Sequence, residues 1–150
     1  MTRVGILSDT HGLLRPEALE ALKGSDLIIH AGDIGSETII PTLESIAPVK
    51  AVRGNVDRAA WAYSYPLFEA FDLANKYFFI YHGDVEPEID PKAGKFDVVV
   101  FGHSHMPSIE KENGVLFINP GSAGRKRFSL PVSLAVLNLG DKLDAELIYL

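Results

Sequence analysis

The sequence predicts an α/β sandwich: two mixed β-sheets packed face to face with helices outside (αββα), formed by residues 1–150 as a single domain. Three observations predict it. Residues 3–53 alternate short apolar runs with helical segments, the pattern of parallel strands joined by right-handed crossovers. Residues 67–149 mostly pair apolar runs across tight turns, the pattern of antiparallel hairpins. Hydrophobic residues make up 47% of the chain and charged ones 23%, with no repeat, linker or low-complexity tract, so one sizeable core is available.

The elements follow in order. Arg3–Leu7 reads as a buried strand, a short continuous apolar run. Pro16 suits the first turn of a helix, Leu19 and Leu22 give that helix an inner face, and Gly24 closes it. A strand over Asp26–Ala31 precedes a helix around Glu37–Ile46, stopped by Pro48, and then a strand over Val49–Arg53. Leu67–Leu73 and Lys76–Tyr81 form a hairpin turning at Ala74-Asn75. A short helix near Pro87–Ala93 leads into a strand over Asp97–Phe101. Ser108–Glu112 and Leu116–Asn119 flank Asn113-Gly114, a strong two-residue hairpin signal. Ser133–Leu139 and Leu143–Tyr149 pair around Gly140-Asp141.

Composition excludes several classes. There is no cysteine, hence neither a disulfide framework nor a thiolate metal site, in keeping with an expected cytoplasmic location. A strand begins almost directly after Met1, which leaves no room for a signal peptide, and no apolar stretch approaches the roughly 18–20 residues that span a bilayer. A formal net charge of −6 argues against an extensive nucleic-acid surface. It leaves open a phosphate held through metal ions. A homo-oligomer is compatible with all of this.

The chemistry sits in five polar clusters, each directly after an apolar run: Ser8-Asp9-Thr10-His11-Gly12, Gly32-Asp33, Gly54-Asn55, His82-Gly83 and Gly102-His103-Ser104-His105. In open sheets, reactive groups gather beyond the carboxyl ends of the strands, so residues scattered from 9 to 105 should meet at one site. What meets is Asp9, His11, Asp33, Asn55, His82, His103 and His105, an imidazole and carboxylate set that suits zinc, manganese, iron, cobalt or nickel. Asp-x-His or His-x-His alone is more often an ordinary turn. Their conjunction with Gly-Asp and Gly-Asn points to a metal site.

In that ordered set the chain resembles the calcineurin-like metallophosphoesterases, most closely the small YfcE-like phosphodiesterases. The resemblance runs from Val4 to Ser122 and includes the loop Asn119-Pro120-Gly121-Ser122. It implies two adjacent divalent ions, manganese favoured. Asp9, His11 and His105 would hold the first, Asn55, His82 and His103 the second, and Asp33 would bridge them. Asp33, Asn55 and His103 are in addition assigned to catalysis. The implied reaction is hydrolysis of small or accessible phosphodiesters by a metal-bridging hydroxide, with no serine or cysteine nucleophile. Two ions, two aspartates and one hydroxide leave about one positive charge, which attracts an anionic ester.

The alternative is a non-catalytic protein-interaction module on the same scaffold, the role served by the retromer scaffold subunit, which is similar to this family. Against it, none of the seven candidate ligands is replaced. A histidine-triad protein is excluded because Pro107 stands where a third histidine is needed, and a barrel amidohydrolase needs a far longer chain.

Other positions depart from the family or lie beside its motifs. Val56 stands where many relatives carry a histidine that protonates the leaving group, which implies a preference for esters with good leaving groups. Asp84 reads as a solvated turn acid, and His30 as a satisfied core histidine or a support behind the site. Asp57 is either an orienting group or an ordinary turn residue. Arg125, Lys126 and Arg127 form a basic turn that either is solvated or meets substrate phosphate. Trp61, Tyr63 and Tyr65 are expected in a structural or subunit-contact role.

Overall fold

The computed structural model describes residues 1–87 and 94–150. The expected helix near Pro87–Ala93 lies, but for its first residue, outside the described residues. The elements are β1 (Thr2–Leu7), α1 (Pro16–Leu22), β2 (Leu27–His30), α2 (Ile39–Glu44), β3 (Val49–Ala51), a 3-10 helix (Ala60–Ser64), β4 (Phe68–Leu73), β5 (Lys76–Tyr81), β6 (Val98–Val100), β7 (Ser108–Glu112), β8 (Val115–Asn119), β9 (Ser133–Leu139) and β10 (Leu143–Tyr149). They build two mixed five-stranded sheets, ordered β10-β9-β1-β2-β3 and β4-β5-β6-β8-β7. The predicted two-sheet sandwich is therefore the fold.

Strand position follows composition. The central strands β1, β2, β5, β6, β8 and β9 are apolar nearly throughout, because both of their faces are covered. The edge strands β4 and β10 instead alternate exposed with half-buried residues. Between the sheets, Val4, Ile6, Leu27, Ile29, Ala135 and Leu137 meet Phe78, Ile80, Val98, Val100, Leu116 and Ile118. Burial of such a layer contributes roughly 25 cal/mol per Å² of apolar surface, the main force holding the sheets together.

Both described α-helices lie on the outer face of the first sheet, where Ala18, Leu22, Ile39, Ile40 and Leu43 cover Leu7, Ile28, Leu134 and Val136. The outer face of the second sheet carries an aromatic layer of Phe79, Phe96 and Val99 with Tyr77, Tyr81 and Phe117. The helix α2 is shorter than the expected Glu37–Ile46. Its end tightens into bonds from Ser45 N to Thr42 O (3.2 Å) and Ile46 N to Leu43 O (2.9 Å), so the last turn is no longer α-helical. Other boundaries shift by a residue or two, as at β2, which stops at His30 before the loop of Ala31. Among the described residues no helix is long and apolar enough to cross a membrane.

Candidate metal centre

Parallel pairing brings the donors to one edge. β1, β2 and β3 run parallel in one sheet, and β5, β6 and β8 in the other. Asp9 and His11 follow β1, Asp33 follows β2, Asn55 follows β3, His82 follows β5, and His103 and His105 follow β6. Backbone bonds lace the loops together: Asp9 N–H to Gly32 O (2.9 Å), His11 N–H to Asp33 O (2.9 Å), and Gly102 N–H to His82 O (2.8 Å). Two further bonds cross between the sheets, from His82 Nδ1–H to Ala31 O (2.8 Å) and from His103 N–H to Asp9 Oδ2 (3.2 Å).

The donors gather in two groups. In one, His105 Nε2 is 3.3 Å and His11 Nε2 3.7 Å from Asp9 Oδ1. In the other, His82 Nε2 is 3.1 Å from Asp33 Oδ2 and 3.3 Å from His103 Nδ1. Within each group, one donor atom per residue lies within 4.8 Å of the others. Asp33 Oδ2 is also 3.6 Å from His11 Nε2, so this oxygen faces both groups. Its other oxygen, Oδ1, accepts Val56 N–H at 3.1 Å. Asn55, the residue directly before Val56, is exposed.

The backbone is strained where the donors sit. Among the described residues, ten that are not glycine have positive φ, and five of these are Asp9 (56°), His11 (47°), Asp33 (54°), His103 (71°) and His105 (63°). Left-handed backbone at such residues costs ~1–3 kcal/mol each and concentrates at functional sites.

The donor set fits divalent ions. Asp9 Oδ1 and His11 Nε2 are buried yet have no hydrogen-bond partner among the described residues, an arrangement that costs about 1–3 kcal/mol per group unless something else satisfies them. Because a carbonyl only accepts, His82 carries a proton on Nδ1, so Nε2, 3.1 Å from Asp33 Oδ2, is the ring atom that a metal could take once its own proton is lost. Nitrogen and oxygen donors of this kind suit first-row divalent metals.

Electrostatics agree with the packing. Burial works to raise the Asp9 carboxyl, but the His105 and His11 imidazoles, the charge of His82 and the Ser8 hydroxyl hold it far below the usual carboxylate range. Burial likewise opposes ionisation of Asp33, and hydrogen bonds from His82 and Val56 N–H outweigh it, holding this carboxyl down as well. Burial would lower His82, yet its bond to Asp33 and the charges of Asp9 and Asp33 lift it to about 9.

Burial lowers His30 to about 4, so this fully buried ring is neutral. Its Nδ1 accepts Gly32 N–H (3.1 Å), so Nε2–H donates to Thr10 Oγ1 (3.0 Å), whose own proton goes to Ile34 O (2.8 Å). This is the satisfied histidine expected behind the site.

Residues that the sequence left open are also located. Asp57 is buried and accepts three backbone N–H groups. Asp84 is exposed, as a solvated turn acid should be, and Arg125, Lys126 and Arg127 are exposed beyond Gly124. Trp61 and Tyr65 meet edge to face and pack against the outer core, while Tyr63 is exposed beneath the Arg53 guanidinium.

Two supporting residues escaped sequence reasoning. Asn119 donates to Gly102 O (3.2 Å) and Ser104 Oγ (3.0 Å) and accepts Gly121 N–H (2.9 Å), and Ser122 Oγ–H reaches Asp9 O (3.1 Å). The Asn-Pro-Gly-Ser loop was the only signal for them.

Residues 2–142 match the model of the calcineurin-like phosphoesterase superfamily domain. A probable metallophosphoesterase of Methanothermobacter thermautotrophicus is 37% identical, aligned over 97% of this chain and 91% of its own. The phosphodiesterase YfcE of Escherichia coli is 29% identical, over 92% and 88% respectively. The solved structure of an archaeal phosphodiesterase superposes with a TM-score of 0.83 at 27% identity, covering 99% of this chain and 100% of that one.

Proposed function

The chain belongs to the calcineurin-like phosphoesterase superfamily, and from that premise we propose that it is a metal-dependent phosphodiesterase acting on small or accessible phosphodiesters. One observation carries the reading: Asp9, His11, His105, Asp33, His82 and His103 converge from both sheets, with Asp9 Oδ1 and His11 Nε2 buried and without a hydrogen-bond partner among the described residues. Asp9, His11 and His105 would hold one divalent ion, Asn55, His82 and His103 a second, and Asp33, whose Oδ2 faces both groups, would be shared. Ions bound there would supply Lewis acidity toward the phosphoryl group and a nucleophile ionised near neutral pH.

The chain's own residues orient and attract. Asp9 and Asp33 are the two carboxylates among the seven candidates, and Asn55 is neutral, so the loaded site keeps positive charge toward an anionic ester. Asp33, Asn55 and His103 are assigned to catalysis, with Asn55 and His103 exposed where an ester can approach. Val56 carries no proton to give the leaving group.

The test is hydrolysis of bis(p-nitrophenyl) phosphate with Mn²⁺ by the parent and Asp33→Ala, extended to diesters with poorer leaving groups. Activity should require metal and disappear in the variant. Rates should fall steeply as the leaving group becomes more basic, since a general acid typically supplies ~100- to 10,000-fold. Full activity in the presence of a chelator, or in Asp33→Ala, would sink the reading.

A further inference from the structure

We propose that Asp57 is a positioning residue that sets the Asp33 loop against the Asn55 loop and thereby controls metal affinity, an inference that rests on the metal reading above. Asp57 is 3% exposed. Oδ2 accepts Ile34 N–H and Gly54 N–H, both at 2.9 Å, and Oδ1 accepts Gly35 N–H at 3.0 Å. The first and third of these donors follow Asp33, and Gly54 directly precedes Asn55. One carboxylate therefore clamps the two loops that carry the proposed shared ligand and its neutral partner. A residue that merely formed the turn would be content with the bond from Asp57 N–H to Gly54 O (3.1 Å).

The clamp reaches a third loop through the same strip of backbone. On its carbonyl side, Asp33 O accepts His11 N–H (2.9 Å) and Ile34 O accepts Gly12 N–H (2.8 Å). Thr10 Oγ1–H adds a bond to Ile34 O at 2.8 Å. Asp57 thus holds the amide side of the strip while the Asp9–His11 loop holds its carbonyl side.

A carboxylate is the one side-chain group of this size that presents two acceptor oxygens and no donor. Asparagine has nearly the same shape, but its amide NH₂ would face backbone N–H groups, so at least one bond is lost to a donor–donor contact. Substituting residues that orient metal ligands typically weakens metal binding or activity by about 10- to 100-fold.

The experiment is calorimetric titration of Mn²⁺ into metal-free parent, Asp57→Asn, Asp57→Ala and Val136→Ala. Val136 is fully buried under the helices, away from the donors, and serves as the structural control. Asp57→Asn should bind Mn²⁺ about 10- to 100-fold more weakly. Its Ile34, Gly35 and Gly54 amides should lose protection from hydrogen exchange, and kcat should fall more than KM rises. Val136→Ala should melt at a lower temperature and keep the parent's affinity. If Asp57→Ala does not fold, the near-isosteric Asn variant carries the test. Parental Mn²⁺ affinity in Asp57→Asn, or an equal loss in Val136→Ala, would overturn the proposal. A parent that binds Mn²⁺ without hydrolysing diesters would reject the phosphodiesterase reading and leave this inference standing on its own readout. A parent that binds no Mn²⁺ would overturn both.

Discussion

His82 concentrates the electrostatic argument in one side chain. Without metal, its contact with Asp33 lifts it from 6.5 to about 9, so the imidazolium–carboxylate pair stabilises the fold. The raised value fixes the sign: that contribution is complete below pH 6.5 and fades as pH rises through about 9. Metal ligation at Nε2 demands the opposite protonation state, so uptake must release a proton. Apparent Mn²⁺ affinity should therefore weaken by about tenfold for each pH unit below about 9, and calorimetry in buffers of different ionisation enthalpy should report a released proton. Affinity that is flat from pH 6.5 to 9 would place the ligand elsewhere. His30, by contrast, is held neutral by burial and supports the loops without taking part in this exchange.

Elements matter here chiefly through the loops that leave them. A Cβ on Gly102 would overlap Ser8 Oγ and lie 2.8 Å from Asp9 Oδ2, so the β6 loop can approach β1 only as glycine. Gly102→Ala should keep the far-ultraviolet circular dichroism of the parent while losing about 10- to 100-fold in Mn²⁺ affinity. Gly114→Ala is the contrast: its φ is +82° but nothing among the described residues lies within 4 Å of the added Cβ, so it should cost stability and spare the site. Unchanged affinity in Gly102→Ala would mean that the two loops need not touch.

The same elements show what was legible in advance. Asn113-Gly114 announced its hairpin because local turn chemistry decides it, and the buried strands announced themselves as apolar runs. The 3-10 helix at Ala60–Ser64 has no such local signature, and its Trp61 is held by tertiary packing. Asp57 could not be told from a turn residue, because its role depends on amides 22 and 23 positions away. The left-handed backbone of Asp9, His11 and Asp33 was equally invisible, since nothing in those residue types requires it.

At the scale of the whole molecule, the site exists only where the sheets meet. Asp9, His11 and Asp33 come from the first sheet, and His82, His103 and His105 from the second, so neither sheet alone brings together a complete group. Any ion bound across them couples ligation to the packing of the sandwich, and at a hundredfold excess over its Kd it would stabilise the fold by about 2.7 kcal/mol. The strain and unpartnered polar atoms at the donors have a purpose on this account, which is to hold a pair of ions. Its most direct test is the number of Mn²⁺ ions per chain, measured by elemental analysis after chelation, reloading and desalting, in the parent and in Asp33→Ala. The account predicts about two per chain in the parent and no more than one in the variant, because the shared ligand is gone. A parent that retains one or none, or a variant that retains as many as the parent, would contradict it.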